Sequence, residues 1–148
     1  AKVPDIECYY ESFQSICEVT MLTGRDQWFN EGQPVMRHLR DFENQNTSIP
    51  SYCLFVAPRI HQDTINTFWM SVKYEYEGSK QRIVPITITE LVDLLEVIKA
   101  AKSKGIKVPH SEMMDFYNKC VDIAGIADST AWRTHIANEI SCLKKKYA

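Results

Sequence analysis

Hydrophobic and polar residues alternate from Ile6 to Met21, then change period. Ile6 to Tyr10 and Phe13 to Met21 read as two antiparallel strands, joined tightly at Glu11-Ser12. The register that suits both strands sets Asp5 across from Glu18. One face then carries Ile6, Cys8, Tyr10, Phe13, Cys17, Val19 and Met21, with Ser15 its only polar member. The other carries Asp5, Glu7, Gln14, Glu18 and Thr20, with Tyr9 and Ile16 among them. A half-buried strand pair alternates in this way, apolar side inward.

Thr23 to Asp26 breaks the pattern as a loop. Pro34 predicts the first turn of a helix that runs to about Glu43, with Val35, Leu39 and Phe42 as its stripe. Glu31 then lies just before that helix and His38 one turn into it. Tyr52 to Ala57 is continuously apolar and predicts a central strand covered on both sides. Asp63 to Tyr76 has helical spacing at Ile65, Phe68, Trp69 and Val72, a stripe that reads as core. Arg82 to Ile88 is a strand confined to a sheet edge by Pro85. Thr87 and Glu90 have the spacing of a capping box, and Leu91, Val92, Leu95 and Ile98 form one face of the next helix. Gly105 and Pro109 end it. Two further helices are expected at about 111–123 and 129–145, the second capped by Asp128 or Ser129.

Composition adds limits. The chain has 148 residues, 45% hydrophobic and 24% charged, ordinary for one globular domain. No apolar run is long enough to span a membrane and no signal peptide is visible. Five cysteines without zinc spacing (Cys8, Cys17, Cys53, Cys120, Cys142) point to a reduced, cytoplasmic protein of bacterial type. The formal net charge is -2. Lysines gather late, at Lys99, Lys102, Lys104 and Lys107 and at Lys144 to Lys146, where a solvated helix end accounts for them. A domain gripping DNA by its phosphates alone is more basic than this. The acid-rich first third and the start of the chain close to Asp5 raise the expectation that an upstream segment completes the protein.

The chemistry concentrates at the hairpin. Two opposed carboxylates need a shared proton or a cation, and a hard divalent ion is the natural one. The alternative is a solvated polar face whose acids never meet. No glycine-rich phosphate loop and no GxSxG are present, which argues against nucleotide-binding and α/β-hydrolase readings. His135 and Glu139 stand one helical turn apart, as surface pairs often do.

Pro4-Asp5 followed by Glu18-Val19-Thr20 resembles the PD-(D/E)XK nuclease motif. Glu31-Gly32, Val35 and Arg37-His38-Leu39 are similar to the cleavage domains of type IIS restriction and nicking endonucleases of the BstNBI, MlyI and AlwI kind, with FokI more distant. Tyr52 to Pro58 and Ile83 to Thr87 resemble the later strands of that family. The likeness covers roughly residues 3–98. It implies an α/β, PD-(D/E)XK restriction-endonuclease-like core, a mixed central sheet flanked by helices, with a C-terminal helical extension at 109–148. It implies one nuclease domain over 1–148, a fragment lacking an upstream helix and an N-terminal DNA-recognition region.

By this resemblance the catalytic set is Asp5, Glu18, Glu31 and His38. Asp5, Glu18 and Glu31 are the ligands of Mg2+, for which Mn2+ substitutes. The departure is Thr20, which stands where the superfamily has lysine. Thr20, Arg37 and His38 are the residues left to cover that role. The implied partners are double-stranded DNA, a recognition region or subunit, and a second nuclease subunit for the other strand, with no membrane. The implied activity is phosphodiester hydrolysis, nicking one strand. The alternatives are a family subunit that no longer cuts and an α/β protein-interaction domain.

Overall fold

The alternation at the start of the chain does fold into a hairpin. In the structure, a computed structural model describing residues 3–148, β1 (Ile6–Tyr9) pairs antiparallel with β2 (Gln14–Val19). Ile6 lies opposite Cys17 and Tyr9 opposite Gln14, the expected register. β3 (Ser51–Ala57) and β4 (Ile83–Thr87) add in parallel, giving a four-stranded mixed sheet in the order β1-β2-β3-β4. β3 is interior and almost wholly buried, and β4, with Pro85, forms an edge.

Between the parallel strands lie α1 (Arg25–Gln45) and α2 (Gln62–Lys73). After them come α3 (Ile88–Ser103), α4 (His110–Ile123) and α5 (Ser129–Lys146). The Thr87 and Glu90 capping box forms as expected, and Asp128 caps α5 through the N–H of Ala131. Phe55 of β3 meets Phe68 of α2 edge-on, while Tyr52 stacks on Tyr117 of α4. The two rings leave opposite faces of β3, so helices cover both sides of the sheet. The helices at 109–148 belong to the same buried cluster: Tyr117, Cys120, Trp132, Ile136 and Ile140 pack with Phe13 and Tyr52. Among the described residues no helix is long and apolar enough to cross a membrane.

The structure corrects two expectations. α1 begins at Arg25, so Pro34 sits inside it. Pro34 is on the solvent side, where its missing N–H is tolerable, and buried residues on both sides of it (Gln27, Gly32, Val35, Leu39) hold the helix together. Glu31 therefore lies in mid-helix, two turns before His38 and on the same face.

The second correction concerns which side of β2 is covered. Gln14, Ile16, Glu18 and Thr20 are buried, while Ile6, Val19 and Met21 are exposed. α1 lies over the polar face, where its His38 pairs with Glu18 at 2.9 Å, and Gln14 donates to the Ser51 hydroxyl of neighbouring β3 at 2.8 Å. On α3, Val92, Leu95 and Ile98 are about half exposed, and Val97 and Ala101 face the core.

Candidate active site

Three parallel strands, β2, β3 and β4, end at one edge of the sheet, and α1, α2 and α3 each begin there. β2 carries Glu18 to that edge, and the chain just before β1 brings Asp5 beside it. Asp5 is exposed, and its Oδ2 accepts the N–H of Val19 at 2.8 Å. That bond extends the hairpin register one step and holds the carboxylate against the end of β2. Glu18 is 5% exposed. The Nδ1 of His38, on α1, pairs with its Oε1 at 2.9 Å.

Glu31 hydrogen-bonds the Thr20 hydroxyl, which also accepts the N–H of Leu22 at 3.2 Å. Thr20 thus anchors a carboxylate and a turn. Arg37 is exposed, and no contact joins it to these groups among the described residues.

The carboxylates share one electrostatic environment. Burial pushes the Glu18 carboxyl above the ordinary range, His38 pulls it back, and the charges of Asp5 and Glu31 push it up again. Glu31 is raised by burial and by Asp5, with Thr20 and His38 opposing. Cys17, close by, is pushed up to about 11 by burial, then by Cys8, Asp5 and Glu18. It stays a neutral thiol and offers no soft ligand.

Oxygen donors with a surplus of negative charge suit a hard divalent ion. Among the described residues no three His, Cys, Asp or Glu side chains stand close enough together to enclose one. The present geometry explains this, since Asp5, Glu18 and Glu31 are held by Val19, His38 and Thr20 in turn.

Gln27, which the sequence reading passed over, holds this edge together. It is fully buried on α1. Its Nε2 donates to the carbonyls of Leu22 and Arg59, each at 2.7 Å, and its Oε1 accepts the N–H of His61 at 2.8 Å. The loops after β2 and β3 are tied through this one side chain.

This mixed sheet, flanked by helices on both faces, has the fold of a solved restriction-endonuclease subunit. A search of solved structures finds the small subunit, R.BspD6I2, of the heterodimeric restriction endonuclease R.BspD6I. Its TM-score is 0.76 and its identity 21%, over 93% of this chain and 68% of that one. The chain belongs to the AlwI restriction endonuclease family, whose model matches residues 2–94. No curated protein matches the sequence.

His38 bonds Glu18 directly, whereas Thr20 reaches the cluster through Glu31. His38→Ala is therefore expected to slow single-turnover cleavage by about 10- to 100-fold, as loss of a residue orienting a ligand does, and Thr20→Ala by less. Because His38 lowers the Glu18 pKa, its removal moves the acid limb of the pH–rate profile upward. Equal rates and an unmoved limb would reduce His38 to a packing residue.

Proposed function

We propose that this chain is the cleavage domain of a type IIS restriction or nicking endonuclease of PD-(D/E)XK type, hydrolysing one DNA phosphodiester per encounter. The observation that carries the reading is that Asp5, Glu18 and Glu31, brought from three separate segments to the carboxyl edge of β2, lie near enough to act on one another's charge, although they do not enclose an ion as they stand. Burial raises both Glu18 and Glu31, and the charge of Asp5 raises both further. Such a cluster is costly unless a cation or protons compensate it.

Asp5, Glu18 and Glu31 would hold the ion, Mg2+ or in its place Mn2+. When bound it supplies Lewis-acid neutralisation of the charge that develops on the phosphoryl oxygens. The chain's own residues set the rest. His38 fixes the Glu18 carboxylate through Nδ1 and keeps it more acidic than burial alone would. Asp5 is steered by the Val19 N–H, and Thr20 positions Glu31. With its Nδ1 engaged by Glu18, His38 serves as a positioning residue.

DNA as substrate is supported by the same edge. Three helix N-termini meet there, and that of α1 has no side-chain cap. Arg25, with its side chain 76% exposed, and Arg59, also exposed, flank the carboxylates at the starts of α1 and α2. Helix N-termini and arginines are ordinary phosphate contacts. The net charge of -2 makes binding by this chain alone weak. Target choice is assigned to a recognition region or subunit, and the other strand to a second nuclease centre.

A time course on supercoiled plasmid with magnesium tests this. Open circles are expected before any linear product, with slow, unspecific turnover by the chain alone and loss of activity as salt rises. Linear product from the outset at low enzyme concentration would contradict the one-strand reading. A second reading, a family subunit that docks without cutting, is favoured by Thr20 at the lysine position. It predicts no open circles at any magnesium concentration.

A further inference from the structure

A cavity of about 550 Å³ lies at the other end of the sheet from the carboxylates. Its apolar lining includes Tyr10, Ile98, Ile106 and Met113, and its basic side chains are Lys102, Lys107 and His110. Tyr10 follows β1, which runs antiparallel to β2, so this is the amino edge of the parallel strands. The cavity does not stop there. On α3, Leu95 and Val92 lie one and two turns from Ile98.

This stripe carries the apolar lining of the cavity along α3 for ~9 Å at the rise of a helix. Val92 is 48% exposed, Leu95 56% and Ile98 49%. Cavity and stripe together form a trough whose length suits two turns of helix. Its basic end is uncompensated: Lys102 and Lys107 make no ion pair among the described residues, and Lys99, one turn from Lys102 and also unpaired, adds a further charge.

We infer that this trough docks an amphipathic helix of a partner protein, its apolar residues one turn apart against Val92, Leu95 and Ile98 and its carboxylates at the end that meets Lys102 and Lys107. Charge complementarity selects the occupant. A basic helix is repelled at the cavity, and a DNA backbone gains nothing from a floor of isoleucine, methionine and tyrosine. The basic cavity lies a strand's length from Asp5 and Glu18, so the acidic end of the partner sits away from the carboxylates. This inference stands whether or not the chain cuts DNA.

The test uses two fluorescein-labelled 14-residue helical peptides that share a leucine stripe and differ only in a terminal Glu-Glu-Glu or Lys-Lys-Lys. Anisotropy titration of the whole chain is expected to favour the glutamate peptide about 10-fold, with the preference falling as salt rises. The double variant Lys102→Glu, Lys107→Glu should reverse it. Leu95→Lys, at an exposed position that leaves folding intact, should weaken both peptides about 10-fold. A 12-base-pair duplex should not compete. Equal affinity for both peptides, no reversal by the double variant, or competition by the duplex overturns the proposal. So does sedimentation showing that the chain dimerises through this face and that Leu95→Lys abolishes the dimer, which would make a second copy the occupant.

Discussion

Glu18→Gln is expected to remove DNA cleavage, by about 100-fold or more, while the fold survives with equal or greater stability at neutral pH. The rate effect follows from the charge that is lost. A ligand carboxylate that neutralises a developing phosphoryl charge contributes several kcal/mol to the transition state, and each ~1.4 kcal/mol is tenfold in rate.

The stability effect has the opposite sign from a usual active-site substitution. The Glu18 pKa is raised in the folded state, mainly by burial. A raised acid contributes stability that is fully present below its unfolded value and lost as pH rises through its folded value. At pH 7.5 ionised Glu18 is therefore a liability in the metal-free protein. Glutamine keeps the shape, can still accept the His38 Nδ1–H, and carries no charge. In chelator the melting temperature of the variant should equal or exceed that of the wild type at pH 7.5, with the gap closing toward pH 4.5. Cleavage at the wild-type rate, or a melting temperature several degrees lower, would remove Glu18 from the site.

Gln27→Ala is expected to have the largest effect on folding among the residues near the site, about 2–4 kcal/mol. Its side chain satisfies the carbonyls of Leu22 and Arg59 and the N–H of His61. Truncation leaves three backbone groups without their partner, and each such group costs about 1–3 kcal/mol where it stays buried, less where water reaches it. The damage falls on the loops that carry Arg25 and Arg59, so DNA binding should weaken along with stability. Urea unfolding checks this through a lowered midpoint at unchanged slope. A midpoint within 0.2 M of wild type, at a slope of about 1–3 kcal/mol/M, would show that other groups hold these loops.

Much of this fold was legible in the chain. The hairpin register came from alternation, the central β3 from its unbroken apolar run, the edge strand from Pro85, and the start of α3 from Thr87 and Glu90. Asp5 opposite Glu18 followed from the register alone. What misled was the assumption that the polar side of β2 faces water. Glu18, Gln14 and Thr20 are buried because a functional site puts polar groups under a helix, where pattern rules expect none.

Pro34 hid the first turns of α1, and with them the shared face of Glu31 and His38. Gln27 left no signal in pattern or motif, because a buried amide is recognised by its three backbone partners and those lie on two distant loops. The apolar stripe of α3 marks a limit of another kind: the sequence shows which residues share a face and leaves open what covers them.

The central claim is that Asp5, Glu18 and Glu31 form one divalent-ion site, and calorimetric titration with manganese tests it without any need for activity. The wild-type chain should bind saturably at pH 7.5 and more weakly as pH falls, because protons compete at the raised Glu18 and Glu31 carboxyls. Asp5→Asn and Glu18→Gln should each abolish that binding while both proteins remain folded. Manganese bound equally by all three proteins, or by none of them, would contradict the account.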